Sequence, residues 1–387
     1  MSETSAPRGL DPARLQHLKA TIAADIEAGR YHGAAIAVGR DGRLGLHEAM
    51  GRVRSTSQTP VRTESVFSLL SVTKAFTNIL VLRAIERGEL SLFTNVASVI
   101  PEFSGKPRDE ITVEHLLTHT SGLPSVYTPR PGMYLDKLDD IIAAICATLH
   151  CTDAPGTRVN YAPMAGHALM GEMVRRADPA KRSYRKLVQD ELFTPLGMKD
   201  TAIGVRADLK ARHMPPELPP SFAATHPGSS NLGTHGAFEE EHGEMPWVGG
   251  ISTVGDMYRF AEMLRRGGEL DGARILGPRI LDLATRNRTG DLPNELFKAR
   301  GLSRGWAPSP AYIGLGFSLR GEALTRNLFG TLATPRTFGN QGAGSTLYWI
   351  DPELGISFVC LTIGILDDGE NMERFQRLSD IAIAAAV

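Results

Sequence analysis

Three cysteines, Cys146, Cys151 and Cys360, are too few and too irregularly spaced for a disulfide framework or a zinc site, which points to a reducing compartment. Excess charge is missing as well. The 42 Lys and Arg residues against 43 Asp and Glu leave a formal net charge of −1, and no Lys/Arg-rich run breaks the balance. That argues against a nucleic-acid partner or an anionic membrane surface. Residues 1–7 lack the basic and apolar regions of a signal peptide, and no apolar run is long enough to span a bilayer. The expectation is a cytoplasmic protein. What is present, 42% hydrophobic residues in a chain of 387, suits a sizeable core in one large domain or two intimate ones.

Periodicity places strands at both ends of the chain and helices between them. Residues 12–29 read as a helix, and 34–38 and 44–47 as two strands joined at Asp41-Gly42, a strong hairpin signal. Thr112 can cap a helix through Leu117, with Glu114 in its first turn, and Tyr161 stands just ahead of a helix over 166–176. The stretch 206–246 is polar and rich in Pro, Gly and His, and reads as a long surface excursion. A helix is expected over 254–266, strands over 313–319, 345–350 and 356–362, and an amphipathic helix over 372–385. The implied fold is α+β: one antiparallel sheet drawn from both chain ends (about 12–60 and 310–387), flanked by the terminal helices, with a mainly helical region (about 61–309) inserted in a single 1–387 domain.

The chain is organised around residues 67–82, where Ser71 and Lys74 share one face near the start of a helix whose continuation, Ile79 to Leu82, is apolar on every side. Such a helix is buried, with Gly88 as its C-terminal stop. A serine hydroxyl becomes a nucleophile when a base removes its proton, and lysine can be that base when burial or nearby positive charge lowers its pKa. The helix N-terminus adds a free N–H for an oxyanion. The same spacing also fits an ordinary helix start, and Ser183 and Lys186 repeat it in a charged stretch that reads as a solvated helix face.

Ser71-Val72-Thr73-Lys74, then the run 115–124 from His115 to Pro124, then Pro155-Gly156-Thr157 leading to Tyr161, and Gly249-Gly250-Ile251-Ser252-Thr253 together resemble the serine β-lactamase-like hydrolases. Within that superfamily the chain is most similar to class C β-lactamases and family VIII carboxylesterases, from about Gly33 to the C-terminus. The resemblance implies that Ser71 is acylated, Lys74 is its base, and Tyr161 opens a Y-x-N motif and moves the proton. It places Asn340-Gln341-Gly342 where the family has K-T-G or H-x-G, so that Asn340 and Gly342 face substrate, and sets the N–H groups of Ser71 and Ala343 as the oxyanion hole. No cofactor or metal is implied. The partner is a small-molecule ester or acyl substrate; the oligomeric state is left open.

Two departures bear on substrate. Pro163 stands where Y-x-N has asparagine, and Asn340 where K-T-G has the cation that binds a lactam or peptide carboxylate. Both favour neutral acyl substrates, hence a carboxylesterase; acyl transfer through the same intermediate, β-lactam or D-amino-peptide hydrolysis, and a non-catalytic binding protein are the alternatives. Without the other motifs Tyr161 would be read as a buried tyrosine capping a loop. Trp247, just before Gly249-Gly250, is read as a wall of the acyl pocket or as local packing. Gly301 to Gly305 fit a G-x-S-x-G pattern but lack a hydrophobic strand before it, so a loop is expected; Gly339, Gly342 and Gly344 have the wrong spacing for a phosphate loop. His213, His226, His235 and His242 lack ligand spacing, Glu239 to Glu241 read as a solvated charge run, and His119 is given a structural hydrogen-bonding role.

Overall fold

The computed structural model describes residues 9–217 and 237–387. Asp11 caps α1 (Pro12–Glu27) by accepting from the N–H groups of Ala13 and Arg14, and Pro12 occupies the first turn, where no N–H is needed. β1 (Gly33–Arg40) and β2 (Arg43–Gly51) form the expected hairpin, turning at Asp41 and Gly42 with φ of 50° and 81°. Two successive left-handed residues match the strand twist, which is why Asp-Gly is favoured there.

The helices used below are α2 (Lys74–Glu86), α3 (Ala165–Ala177), α4 (Val254–Arg265), α5 (Glu295–Leu302) and α6 (Asp368–Ala384). The far end of the chain supplies β3 (Ser318–Leu319), β4 (Phe338–Gly342), β5 (Thr346–Asp351) and β6 (Ile356–Ile363). Strand order is β2-β1-β6-β5-β4-β3 with every neighbouring pair antiparallel, so the fold is the α+β arrangement expected from the sequence. Gly33 opposite Ile363 and Arg40 opposite Ile356 bind the two ends of the chain together.

β1, β5 and β6 are buried along their whole length, because helices cover both faces of the sheet. Strand alternation sorts their side chains. Ile36, Val38, Leu347, Trp349 and Phe358 pack with Leu18 and Ile22 of α1 and Phe375 and Leu378 of α6. Ala35, Ala37, Tyr348, Ile350 and Val359 pack with Met257 and Phe260 of α4 in the larger core. Burying each large side chain contributes ~1.5–3 kcal/mol, so the two layers hold the sheet from both sides. α2 is buried at every position from Lys74 to Leu82, as its all-round apolar character requires, and Gly88 follows it at φ 72°. A second, small sheet sits just ahead of Ser71: Val66–Ser68 pairs with His213–Met214 and with Gly250–Ser252, which in turn pairs with Ala202–Ile203.

Four expectations need correction. The described part of 206–246 is more than a surface excursion: Leu209, Met214, Ala237, Phe238 and Met245 are buried, while 218–236, with His226 and His235, lie outside the described residues. The strand expected over 313–319 shrinks to Ser318–Leu319, because Gly316 turns at φ 85° where a Cβ would meet the Asn78 amide at 2.4 Å. α6 starts four residues earlier than expected, where Asp367 caps it through the N–H groups of Gly369 and Glu370. Residues 301 and 302 are the last of α5 rather than loop, and 303–305 form the turn that ends it, with Ser303 exposed and its hydroxyl donating to Arg300 O.

Candidate active site

Ser71 lies in a single 3-10 turn (Leu70–Thr73) that leads into α2, a tighter start than the α-helix expected from the sequence. Leu70 holds a left-handed φ of 52°, a conformation that a residue with a Cβ adopts at some cost. Neighbours fix the turn in place: Leu69 N–H donates to Gly250 O (2.8 Å), Gly250 N–H to Thr73 Oγ1 (2.9 Å), and Thr346 Oγ1 to Leu69 O (2.8 Å). The turn is thereby tied to the small sheet on one side and to β5 on the other. β4 can come this close only because Gly342 has no Cβ: one built there would meet Thr346 Oγ1 at 2.2 Å and Leu69 O at 2.4 Å.

Three side chains meet at Ser71 Oγ. Lys74 Nζ lies 2.9 Å away and Tyr161 OH also 2.9 Å, while Lys74 Nζ sits 5.2 Å from the centre of the Tyr161 ring. Lys74 is 4% exposed, and among the described residues its one other hydrogen bond is to the Trp247 carbonyl at 3.0 Å. Among the described residues it has no carboxylate partner. Burial therefore pushes its pKa well below the ordinary lysine value, with nothing in contact to restore the charge. Burial acts in the opposite sense on Tyr161: it raises the phenol's pKa, and the hydrogen bond to Ser71 only partly offsets it. Burial thus disfavours the charged form of both groups, the ammonium of Lys74 and the phenolate of Tyr161.

Behind this trio lies a polar network that the sequence did not announce. Asn78, one helical turn beyond Lys74, donates to Gly316 O (2.7 Å) and pairs through Oδ1 with His167 Nε2 (3.0 Å) on α3. Asn340 donates to the same Gly316 carbonyl (3.0 Å) and accepts from the buried Tyr348 hydroxyl (2.6 Å). The ring of His119 packs 4.9 Å from that of Tyr161 and 5.6 Å from that of His167. Burial, then the nearby Lys74, hold His119 down to about 3, and the same two causes in that order keep His167 well below the imidazole range. Both imidazoles are neutral, so neither adds positive charge beside Lys74. Instead of the hydrogen-bonding role expected for it, the His119 side chain has ring contacts and no hydrogen bond among the described residues.

The other residues named from the sequence are placed as follows. Ala343 follows Gly342 in the β4–β5 turn, half-buried, and its N–H has no acceptor among the described residues. Trp247 is buried in the main core, and its recorded contact with the site is the carbonyl that holds Lys74. A backbone carbonyl leaves no mark in sequence, whereas Asn78 could have been found from its i,i+4 spacing to Lys74. Phe297 of α5 lies 5.7 Å from the Tyr161 ring, again unforeseen. His213 bonds Ser68 Oγ and His242 bonds Arg185, and no group of three or more potential metal ligands exists among the described residues. A cleft of about 240 Å³ at the far end of α2 is lined by Arg83, Arg87 and Arg274, but these pair with Glu191 and Glu269, and no member of the trio lines it.

Residues 18–378 match the family model described as Beta-lactamase. Penicillin-binding protein 4 of Amycolatopsis lactamdurans is 32% identical over 288 residues, covering 71% of this chain and 70% of that protein. An N-acetylmuramyl-L-alanine amidase of Bacillus subtilis is 24% identical over 404 residues, 94% of this chain and 85% of that protein. Among solved structures, a penicillin-binding protein homologue from Caulobacter crescentus superposes with a TM-score of 0.79 at 24% identity, covering 97% of this chain and 99% of that one. A family VIII carboxylesterase does so at 0.78 and 21%, with the same coverage. At these identities the two structures speak for the fold. No helix among the described residues is long and apolar enough to cross a membrane.

Proposed function

The chain belongs to the Beta-lactamase family of serine hydrolases, and on that premise we propose that it cleaves carboxylic esters through an acyl-enzyme on Ser71. The observation that carries this reading is the buried Lys74 amine, 2.9 Å from the hydroxyl and without a carboxylate. Neutral Lys74 takes the Ser71 proton as Oγ attacks the ester carbonyl. The N–H groups of Ser71 and Ala343 receive the oxyanion. As the C–O bond to the alcohol breaks, Tyr161 OH protonates the leaving oxygen and is reprotonated by the Lys74 ammonium. Water then adds to the acyl carbon, giving up its proton by the same route, and the carboxylic acid leaves with Ser71 restored. Burial raises the Tyr161 pKa, which keeps the phenol protonated and able to donate.

Esters are favoured over carboxylate-bearing substrates because the strand position that could carry a cation holds Asn340, both ends of whose amide are engaged by Gly316 and Tyr348. A charge-assisted bond to a carboxylate is worth roughly 1.5–3 kcal/mol, and forgoing it lowers kcat/KM on the order of tenfold to a hundredfold. The similarity to Penicillin-binding protein 4 favours a second reading, in which a penicillin acylates the same serine. The two are separated by kcat/KM for p-nitrophenyl acetate, with its pre-steady-state burst, against a chromogenic cephalosporin. A burst with the ester and slow cephalosporin turnover is expected; efficient cephalosporin turnover would overturn the ester reading.

A further inference from the structure

Arg374 of α6 is 1% exposed and has no carboxylate within ion-pair distance among the described residues, an arrangement that is ordinarily destabilising. Its guanidinium lies over the rings of Tyr31 (4.8 Å) and Phe375 (4.0 Å), and its Nε has no hydrogen-bond partner among the described residues. The remaining nitrogens reach one place. Nη2 donates to Gly344 O (3.3 Å) and to Asn371 Oδ1 (2.5 Å), and Nη1 to Thr362 Oγ1 (3.1 Å). Thr362 passes the contact on, donating from Oγ1 to Ser345 O at 2.7 Å and from N–H to the same oxygen at 3.1 Å. Asn371 in turn donates to Gln341 Oε1 at 3.4 Å.

These bonds converge on the turn at 342–345. Gly344 O accepts from Leu366 N–H as well as from Arg374, and Gly342 O accepts from Ser345 N–H at 3.0 Å. The Gly342 carbonyl and the Ala343 N–H belong to one planar trans peptide, so they point in opposite directions. Fixing that carbonyl from behind aims the Ala343 N–H forward. The bonds through Arg374 and Thr362 hold the carbonyls on either side of Ser345 N–H, the donor that does the fixing.

We propose that Arg374, acting through Thr362 and Gly344, is a positioning residue that aims the Ala343 N–H at the developing oxyanion. This rests on the reading of Ala343 as an oxyanion donor in a Ser71 acyl-enzyme. It accounts for a buried, unpaired guanidinium by the one segment it braces.

The test compares Arg374→Met, Thr362→Val and Thr362→Ser with the wild type in ester burst rate, KM, affinity for a boronic acid that forms a tetrahedral adduct, and melting temperature. Losing one oxyanion donor outright costs ~10²–10³ in rate, so misaiming it is expected to lower the Arg374→Met burst rate on the order of 10–100-fold. KM should stay within about threefold while boronate affinity falls in parallel with the rate. Thr362→Val should show the same split several-fold smaller, and Thr362→Ser, which keeps the hydroxyl, should recover it. A lower melting temperature with unchanged burst rate and boronate affinity in the folded variants would overturn the proposal and leave Arg374 a packing residue. Should Arg374→Met fail to fold, the Thr362 pair decides in the same terms. Absence of any burst in the wild type would instead overturn the ester reading, and this proposal with it.

Discussion

Serine and lysine stand three residues apart at two places in this chain, and the surroundings give them opposite characters. At Ser183 the hydroxyl caps a short helix (Tyr184–Val188) by accepting from Lys186 N–H at 3.3 Å, and the lysine ammonium turns away to Asp190 at 2.5 Å. Both residues are exposed. At Ser71 the hydroxyl is bound by no helix-capping bond; it meets the amine itself, which is buried with only a carbonyl and that hydroxyl as partners among the described residues. One spacing therefore yields a capped surface helix in one case and a desolvated base in the other. What separates them is burial without a counter-charge, a property of the tertiary structure.

Substitution of the two lysines is the strongest way to break the comparison. Lys74→Ala should lower the acylation rate by ~10²–10⁴, the range general-base catalysis supplies, with the fold retained. Lys186→Ala, on the surface, should change stability by no more than about 0.5 kcal/mol and leave the rate alone. Pre-steady-state burst kinetics and thermal melts on both variants check this, and equal effects on the rate would end the distinction.

A smaller effect follows from the Lys74 pKa. The folded protein holds this amine well below the ordinary value, whereas the unfolded chain protonates it up to about 10.4. Between the two, the unfolded state binds one more proton, so stability rises as pH rises through that window, by up to about 1.4 kcal/mol per unit. Lys74→Met should be more stable than wild type at neutral pH and lose that advantage as pH climbs toward 10. Denaturant melts across the range measure it; parallel profiles for the two proteins would show that Lys74 is not held neutral.

Much of the fold was legible because its signals are local. Asp41-Gly42 names its turn, the runs at 345–350 and 356–362 name β5 and β6 as strands, and the all-round apolar α2 names its burial. The strand expected over 313–319 failed because a contact distant in sequence, Gly316 against Asn78, decided its path. At the site, Ser71, Lys74 and Tyr161 were visible as residue types at familiar spacings, and the structure brings all three to one oxygen. Invisible were the groups that work through backbone or long-range packing: the Trp247 carbonyl on Lys74, the Gly316 carbonyl shared by Asn78 and Asn340, and the brace that Arg374 places behind Ala343. None of them leaves a motif, because each depends on where the chain returns.

The central claim, that burial beside Lys74 makes Ser71 and not Ser183 a nucleophile, is tested most directly by mapping the adduct of a fluorophosphonate probe on the wild-type protein by peptide mass spectrometry. The account predicts one modified residue, Ser71, and no labelling of Ser71→Ala. An adduct on Ser183 or Ser303, or labelling that survives in Ser71→Ala, would contradict it.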